Sequence, residues 1–280
     1  MSTPYRVSDS TSSTRVSGGI RYYLQHYWQD TGDQRTVGLP LIREGPWAML
    51  FVMTLYLLFV TKLGPRMMKH REPYQLRGPM FIYNTLMVVI NYYFFFQAFR
   101  WLDYGRELAN FRWPDGSDNS QRTMDYIWSF YLYWLTKFVD LLDTVFFVLR
   151  KKYRQITALH LYHHTVVPIL GWLYLWYCWG SPAITLFALL NSAVHVIMYS
   201  YYALAAFGPS IQKFLWWKRY ITQIQLIQFA LLCMYGCFIY KYQHGYPQFA
   251  FWLAATQPPL FLILFAQFYL QCYTRVKKVD

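Results

Sequence analysis

The stretch MDYIWSFYLYWLTKFVDLLDTVFFV, from Met124 to Val148, decides how the chain is read. Its 25 residues are mostly apolar or aromatic, more than the roughly 20 that a helix needs to cross about 30 Å of hydrocarbon. Yet Lys137, Asp140 and Asp143 lie inside it. An ionisable side chain at the centre of a membrane helix costs at least about 2.5 kcal/mol, so such groups usually face a cavity and mark function. Working outward, six more runs meet the length condition: 46–63, 79–101, 158–178, 182–206, 220–242 and 248–272. The expectation is an all-α polytopic membrane protein with seven transmembrane helices. Residues 1–45 would form a partly disordered non-membrane tail, 46–272 the membrane domain and 273–280 a basic tail.

Composition agrees. Of 280 residues, 56% are hydrophobic and 22% aromatic, and only 14% are charged, against roughly 25% in an average soluble domain. The net charge of +13 would suggest nucleic acid in a soluble protein,. Here the basic residues cluster between apolar runs, which is the positive-inside pattern and argues against a nucleic-acid partner. Fifteen Lys and Arg fall on one side of the seven segments and ten on the other, and the ten are largely offset by acidic neighbours. This places the C-terminus in the cytosol and the N-terminus outside it. Cys178, Cys233, Cys237 and Cys272 all fall within or at the ends of helices, so no disulfide framework or CxxC metal pair is visible,. Lys277 and Lys278 near the end of the chain resemble a dilysine signal for the endoplasmic reticulum,.

Three polar clusters interrupt the apolar background. Lys137, Asp140, Asp143 and Thr144 are spaced to share about one third of a helix surface, and Lys137 is placed to pair with Asp140,. His160, His163 and His164 open the fourth segment at a spacing that puts the imidazoles on one face,. In the fifth, Asn191, His195, Tyr199 and Tyr202 form a polar stripe,. Thr222, Gln225 and Gln228 repeat every three residues in the sixth. Interhelical hydrogen bonding explains such glutamines as readily as a substrate contact does.

These residues resemble the ELO family of very-long-chain fatty acid elongases, condensing enzymes of the endoplasmic reticulum, over nearly the whole chain from about residue 38. KFVDLLDT from Lys137 to Thr144, followed by Leu149-Arg150-Lys151-Lys152, is similar to the family's KxxExxDTxxxxLRKK, with Asp140 standing where Glu is usual. His160, His163 and His164 match HxxHH; His195, Met198, Tyr199, Tyr201 and Tyr202 match HxxMYxYY; Thr222, Gln225 and Gln228 match TxxQxxQ. Upstream, Gly64-Pro65, Arg71, Pro73, Leu76 and Tyr83-Asn84 also fit. The resemblance implies that helices two to seven surround a closed-ended acyl tunnel with helix one outside. It implies condensation of an acyl-CoA with malonyl-CoA, releasing CO2 and CoA, to a 3-ketoacyl-CoA two carbons longer. A 3-ketoacyl-CoA reductase, a 3-hydroxyacyl-CoA dehydratase and an enoyl-CoA reductase would complete the cycle, so NADPH belongs to them; no tightly bound cofactor and no metal is expected. Assembly with further copies of the chain is left open.

Condensation needs an activated acyl donor, a carbanion equivalent and a group that stabilises an enolate oxygen. Cys178 lies about 15 residues from His163, roughly 22 Å at helical rise, so a cysteine nucleophile is disfavoured,. Neutral imidazole attacks thioesters itself. The expectation is that His163 takes the acyl group in a ping-pong cycle and that His195 assists in proton transfer and orientation. His160, His164, Asn191 and Gln225 would position substrate or stabilise developing oxyanions. Lys137, Asp140, Asp143, Tyr199, Tyr202 and Gln228 join them as substrate-site residues. Arg150, Lys151, Lys152, Arg154, Lys218 and Arg219 are candidates for CoA phosphates. Two rivals stand beside this reading. A membrane di-iron desaturase also carries HxxHH boxes, and a seven-helix receptor or channel shares the helix count.

Overall fold

The computed structural model describes residues 19–177 and 180–274. Cys178, the lysines of the dilysine signal and the first 18 residues of the tail lie outside them. Two short helices, α1 (Ile20–Gln25) and α2 (Tyr27–Thr31), precede α3 (Trp47–Leu58), which passes through a π-helical turn at Phe59–Leu63 into α4 (Gly64–Met68). Next come α5 (Arg77–Trp101), α6 (Gln121–Val139), α7 (Leu142–Leu149), α8 (Ala158–Tyr177) and α9 (Pro182–Ala205). The short α10 (Pro209–Gln212) leads to α11 (Lys218–Tyr242) and α12 (Gln248–Tyr269), which ends in a π-helical turn at Leu270–Thr274. Among the described residues there is no β-strand, only an isolated bridge between Arg112 and His244.

Five of these helices are long and apolar enough to cross a membrane: Trp47–Met68, Arg77–Trp101, Pro182–Ala205, Lys218–Tyr242 and Gln248–Thr274. The chain is thus a helical, multi-pass membrane protein. The other two expected segments are also helical, but polar side chains dilute their apolar runs. In α8 the diluting groups are His160, His163 and His164; in the α6–α7 stretch they are Lys137, Asp140 and Asp143.

The stretch from 124 to 148 is not the single helix its length predicts. Asp140 caps α6, and α7 begins at Leu142. Across the junction the Leu141, Asp143 and Thr144 amides donate to the carbonyls three residues back, of Phe138, Asp140 and Leu141. Tighter i to i−3 bonding turns the chain about 120° per residue instead of 100°, so Thr144 leaves the face that carries Lys137.

Apolar side chains occupy the outward faces of the helices as well as the buried ones, unlike in a water-soluble domain. On α3, Met49, Met53 and Tyr56 are buried whereas Phe51, Leu55 and Leu58 are exposed, and Ile82, Val89, Ile227 and Trp252 show the same outward apolar pattern elsewhere. Such faces suit acyl chains, which need no polar cover. Helix α5 lies along α9, α6 against α8, and α11 between α9 and α12. Within this bundle Trp134 of α6 is 1% exposed and donates its indole N–H to the Pro168 carbonyl of α8 at 2.8 Å. Gly171, one turn on, permits this approach, because a Cβ there would collide with the indole.

The segment before α3 seats on the far end of α8. Asp33 N–H donates to the Trp176 carbonyl at 2.8 Å, and Thr36 Oγ1 donates to the Leu175 carbonyl. In return Trp172 and Trp176 donate their indole N–H groups to the Leu41 and Trp28 carbonyls at 3.0 and 2.7 Å. The last carbonyls of a helix lack intrahelical partners, and this segment supplies them.

Candidate active site

The polar residues converge where α6, α7, α8 and α9 meet. Lys137, 4% exposed, donates from Nζ to Asp140 Oδ2 at 3.1 Å and to Asn191 Oδ1 at 3.4 Å. Its ammonium also lies 4.6 Å from the centre of the Tyr133 ring. The Tyr133 hydroxyl donates to the same Asn191 Oδ1 at 2.8 Å. From there Asn191 Nδ2 meets His195 Nε2 at 3.3 Å. On the opposite side the Tyr199 hydroxyl lies 3.0 Å from Asp140 Oδ1 and 2.8 Å from Asp143 Oδ2. A phenol has one hydrogen, so it donates to one of these carboxylates at a time. A buried charge is tolerable only when paired and hydrogen-bonded, and this chain meets both conditions for Lys137 and Asp140.

The histidine rings form a row rather than a shared flat face. His160 Nε2 is 2.8 Å from Thr144 Oγ1, which is hydrogen-bonded in turn to the Tyr56 hydroxyl at 2.7 Å. Ring centres then step from His160 to His164 over 4.3 Å, to His163 over 5.1 Å and across to His195 over 6.5 Å. Tyr199 follows at 5.6 Å and Tyr202 at a further 6.1 Å. Pro168 has no N–H, so the His164 carbonyl lacks its usual helical donor. Among the described residues no group of three or more His, Cys, Asp or Glu side chains is arranged to hold a metal ion.

Below this polar chain lies a cavity of about 120 Å³. Lys137, His163 and Asn191 line one end; Phe130, Trp134, Phe187, Phe229 and Phe261 line the middle; Tyr174, Ala183 and Ile239 lie toward the other end of their helices. From His163 to Tyr174 along α8 is 11 residues, roughly 16 Å at helical rise,. His163 is the only histidine in that lining.

Other predicted residues stand apart from the cavity. Gln225 Nε2 approaches Met198 Sδ at 4.0 Å, while Gln228 is 3% exposed with its Nε2 unpartnered. Arg150 points a guanidinium N–H at Met80 Sδ at 3.2 Å, and Lys151, at φ 54°, donates to the Lys69 carbonyl at 3.4 Å. Lys152 precedes the turn Tyr153–Gln155 before α8, Arg154 lies within it, and Lys218 begins α11. Arg219 stacks on Tyr220, 4.8 Å from the ring centre. None of these six basic residues lines the cavity.

Two partners escaped sequence reasoning. Tyr133 stands one helical turn before Lys137, a spacing that signals a shared face,. Tyr56 carried no signal, since it reaches Thr144 from a helix 88 residues away.

Residues 41–280 match the family model ELO, described as the GNS1/SUR4 family. A protein of Macaca mulatta named very long chain fatty acid elongase 4 is 38% identical over 269 residues, covering 95% of this chain and 83% of its own. Very long chain fatty acid elongase 7 of Rattus norvegicus is 37% identical over 277 residues, covering 97% and 94%. Very long chain fatty acid elongase 1 of Homo sapiens is 37% identical over 262 residues, covering 88% of each.

Proposed function

The chain belongs to the ELO (GNS1/SUR4) family, and from that membership and the polar chain above the cavity we propose that it is a condensing enzyme of fatty acid elongation. The observation that carries the reading is the position of His163, a motif histidine at the polar end of a long, aromatic-lined cavity. An acyl chain in that cavity leaves water with a gain of roughly 0.8 kcal/mol per CH2, and its thioester then lies at the imidazole.

In the proposed cycle His163 attacks the acyl thioester carbon. A C–N bond forms, the C–S bond breaks and CoA leaves as the thiol with the imidazole's proton. Malonyl-CoA then loses CO2, and the enolate carbon attacks the acyl carbon; the C–N bond breaks, His163 leaves and takes up a proton from solvent, and the 3-ketoacyl-CoA is formed. His195 assists from the facing helix, and Asn191 and Lys137 fix the polar end. His160 and His164 support the ring of His163, while Asp140, Asp143, Tyr199, Tyr202, Gln225 and Gln228 complete the polar surroundings. Arg150, Lys151, Lys152, Arg154, Lys218 and Arg219 face the CoA phosphates. We read α6–α7 and α8 as spans too, seven in all, in the endoplasmic reticulum membrane. The N-terminus would be lumenal, the C-terminus cytosolic and the cavity a closed-ended tunnel. The reductases and dehydratase of the cycle are the proposed partners, with no cofactor bound here.

The test follows carbon from labelled malonyl-CoA into 3-ketoacyl-CoA with purified protein and acyl-CoAs of graded length. Wild-type protein is expected to form product, and His163→Ala to form none while remaining folded. Incubation with acyl-CoA alone is expected to release CoA and add one acyl mass. Turnover without that adduct would sink the covalent route, and iron-dependent oxygen consumption instead of condensation would sink the whole reading.

A further inference from the structure

The hydrogen bonds around Asn191 determine more than its own position. Lys137 is a donor only, so the atom of Asn191 that faces its ammonium is an acceptor. The same atom also accepts the Tyr133 hydroxyl at 2.8 Å. Turning the amide over would set an NH2 group against an ammonium and take away the phenol's acceptor. The remaining Asn191 atom is therefore the Nδ2 donor, and it is aimed at His195 Nε2 at 3.3 Å. A ring nitrogen that receives a donor carries no proton, so the imidazole keeps its hydrogen on Nδ1. Imidazolium is disfavoured by the same contact, because Nε2–H would then oppose the amide N–H. His195 is 6% exposed, and its Nδ1 is buried with no hydrogen-bond partner.

We propose that Lys137 and Asn191 are positioning residues that lock His195 as the Nδ1–H tautomer, and that this N–H donates to the oxygen that gains negative charge on the acyl thioester. The donor role rests on the reading of the cavity as an acyl-thioester site. The His163 and His195 ring centres are 6.5 Å apart; His195 lies behind the cavity lining, of which His163 is part, so the donor role requires the acyl oxygen to enter between the two rings once the carbonyl carbon is bonded to His163. His195 acts here as a fixed electrostatic donor rather than as a base. A preorganised donor of this kind needs no reorientation when the charge appears.

The experiment uses the full chain in lipid nanodiscs with 15N-labelled histidine, and a His195→Gln spectrum to assign the signal. The expected wild-type spectrum shows His195 neutral, protonated on Nδ1 and bare on Nε2, before any substrate is added. Asn191→Asp offers a carboxylate that accepts from Nε2–H, so the tautomer should reverse. With it kcat should fall about a hundredfold, as for loss of one oxyanion donor, while the KM for acyl-CoA changes little. Protonation of Nε2 in the wild type would overturn the lock, and that spectrum requires no variant to fold. A reversed tautomer with wild-type kcat would overturn the donor role alone. Absence of condensation by wild-type protein would overturn the functional reading and the donor role with it, whereas the substrate-free spectrum judges the lock independently.

Discussion

Lys137 and Asp140 show how a single pair carries both stability and chemistry. Both are nearly inaccessible, at 4% and 2% exposure, so neither charge is solvated by water. Replacing one partner leaves the other uncompensated, at a cost of about 3–5 kcal/mol, whereas replacing both by apolar groups of similar size is often neutral. Asp140→Leu should therefore lower the melting temperature sharply, and the double variant Lys137→Met, Asp140→Leu should recover most of it while remaining inactive. Thermal melts of the three proteins in one detergent check this. A single variant as stable as the double would show that the pair is not coupled. The spacing of Lys137 and Asp140 made the pair legible in the sequence. Tyr133 shares that face of α6, whereas Asn191, which completes the lysine's surroundings, required the approach of α9.

At the scale of elements, the break between α6 and α7 sorts the motif into two environments. Lys137 and Asp140 face α9, while Thr144 faces α8 through His160. The start of α6 is held differently, by side chains of the preceding loop. Ser120 Oγ accepts the Thr123 amide at 3.4 Å, and Asp118 accepts from the Thr123 hydroxyl at 2.6 Å and the Ser120 amide at 2.9 Å. The Thr123 hydroxyl and then the Ser120 amide hold the Asp118 carboxyl below the usual carboxylate range. A lowered folded-state pKa stabilises the folded form above the unfolded value, near 3.9, and that contribution is lost as pH falls through the folded value. Protection of the Ser120 and Thr123 amides, corrected for intrinsic exchange, should thus stay level from neutral pH to about 4 and decline below it. Asp118→Ala should lower protection at neutral pH and flatten the profile. An unchanged acid limb in that variant, followed by hydrogen exchange, would assign the effect to another group.

At the scale of the molecule, the cavity has Lys137, His163 and Asn191 at one end and Tyr174, Ala183 and Ile239 toward the other. The segment from α2 to α3 closes over the end of α8 through Asp33, Thr36 and the indoles of Trp172 and Trp176. Under the proposed function, in which the cavity is a closed-ended tunnel, its depth would limit the acyl chain it accepts. Ala183, near the start of α9, lines that end. Ala183→Trp is expected to shift products toward shorter chains by one or more two-carbon steps, without loss of CoA release from the shortest acyl-CoAs. The product profile from a mixed acyl-CoA pool measures this, and an unchanged profile would place the limit elsewhere.

The sequence by itself determined the helical, multi-pass class, because about 20 apolar residues in a row can satisfy their backbone in lipid only as helix. It also determined the family, through HxxHH and HxxMYxYY, and the boundaries of most long helices to within a few residues. Local periodicity carries that information, since residues three or four apart share a face whatever the rest of the chain does. Tertiary structure alone decided that one predicted helix breaks at Asp140, that Thr144 turns to Tyr56 and His160, and that His163 is the histidine beside the cavity. It also decided that the six basic residues stay outside the cavity, although the motif sets three of them, Arg150, Lys151 and Lys152, close to it in sequence. These outcomes depend on which helices approach one another, as where Gly171 admits Trp134. Spacing along one helix cannot fix an atom that belongs to another.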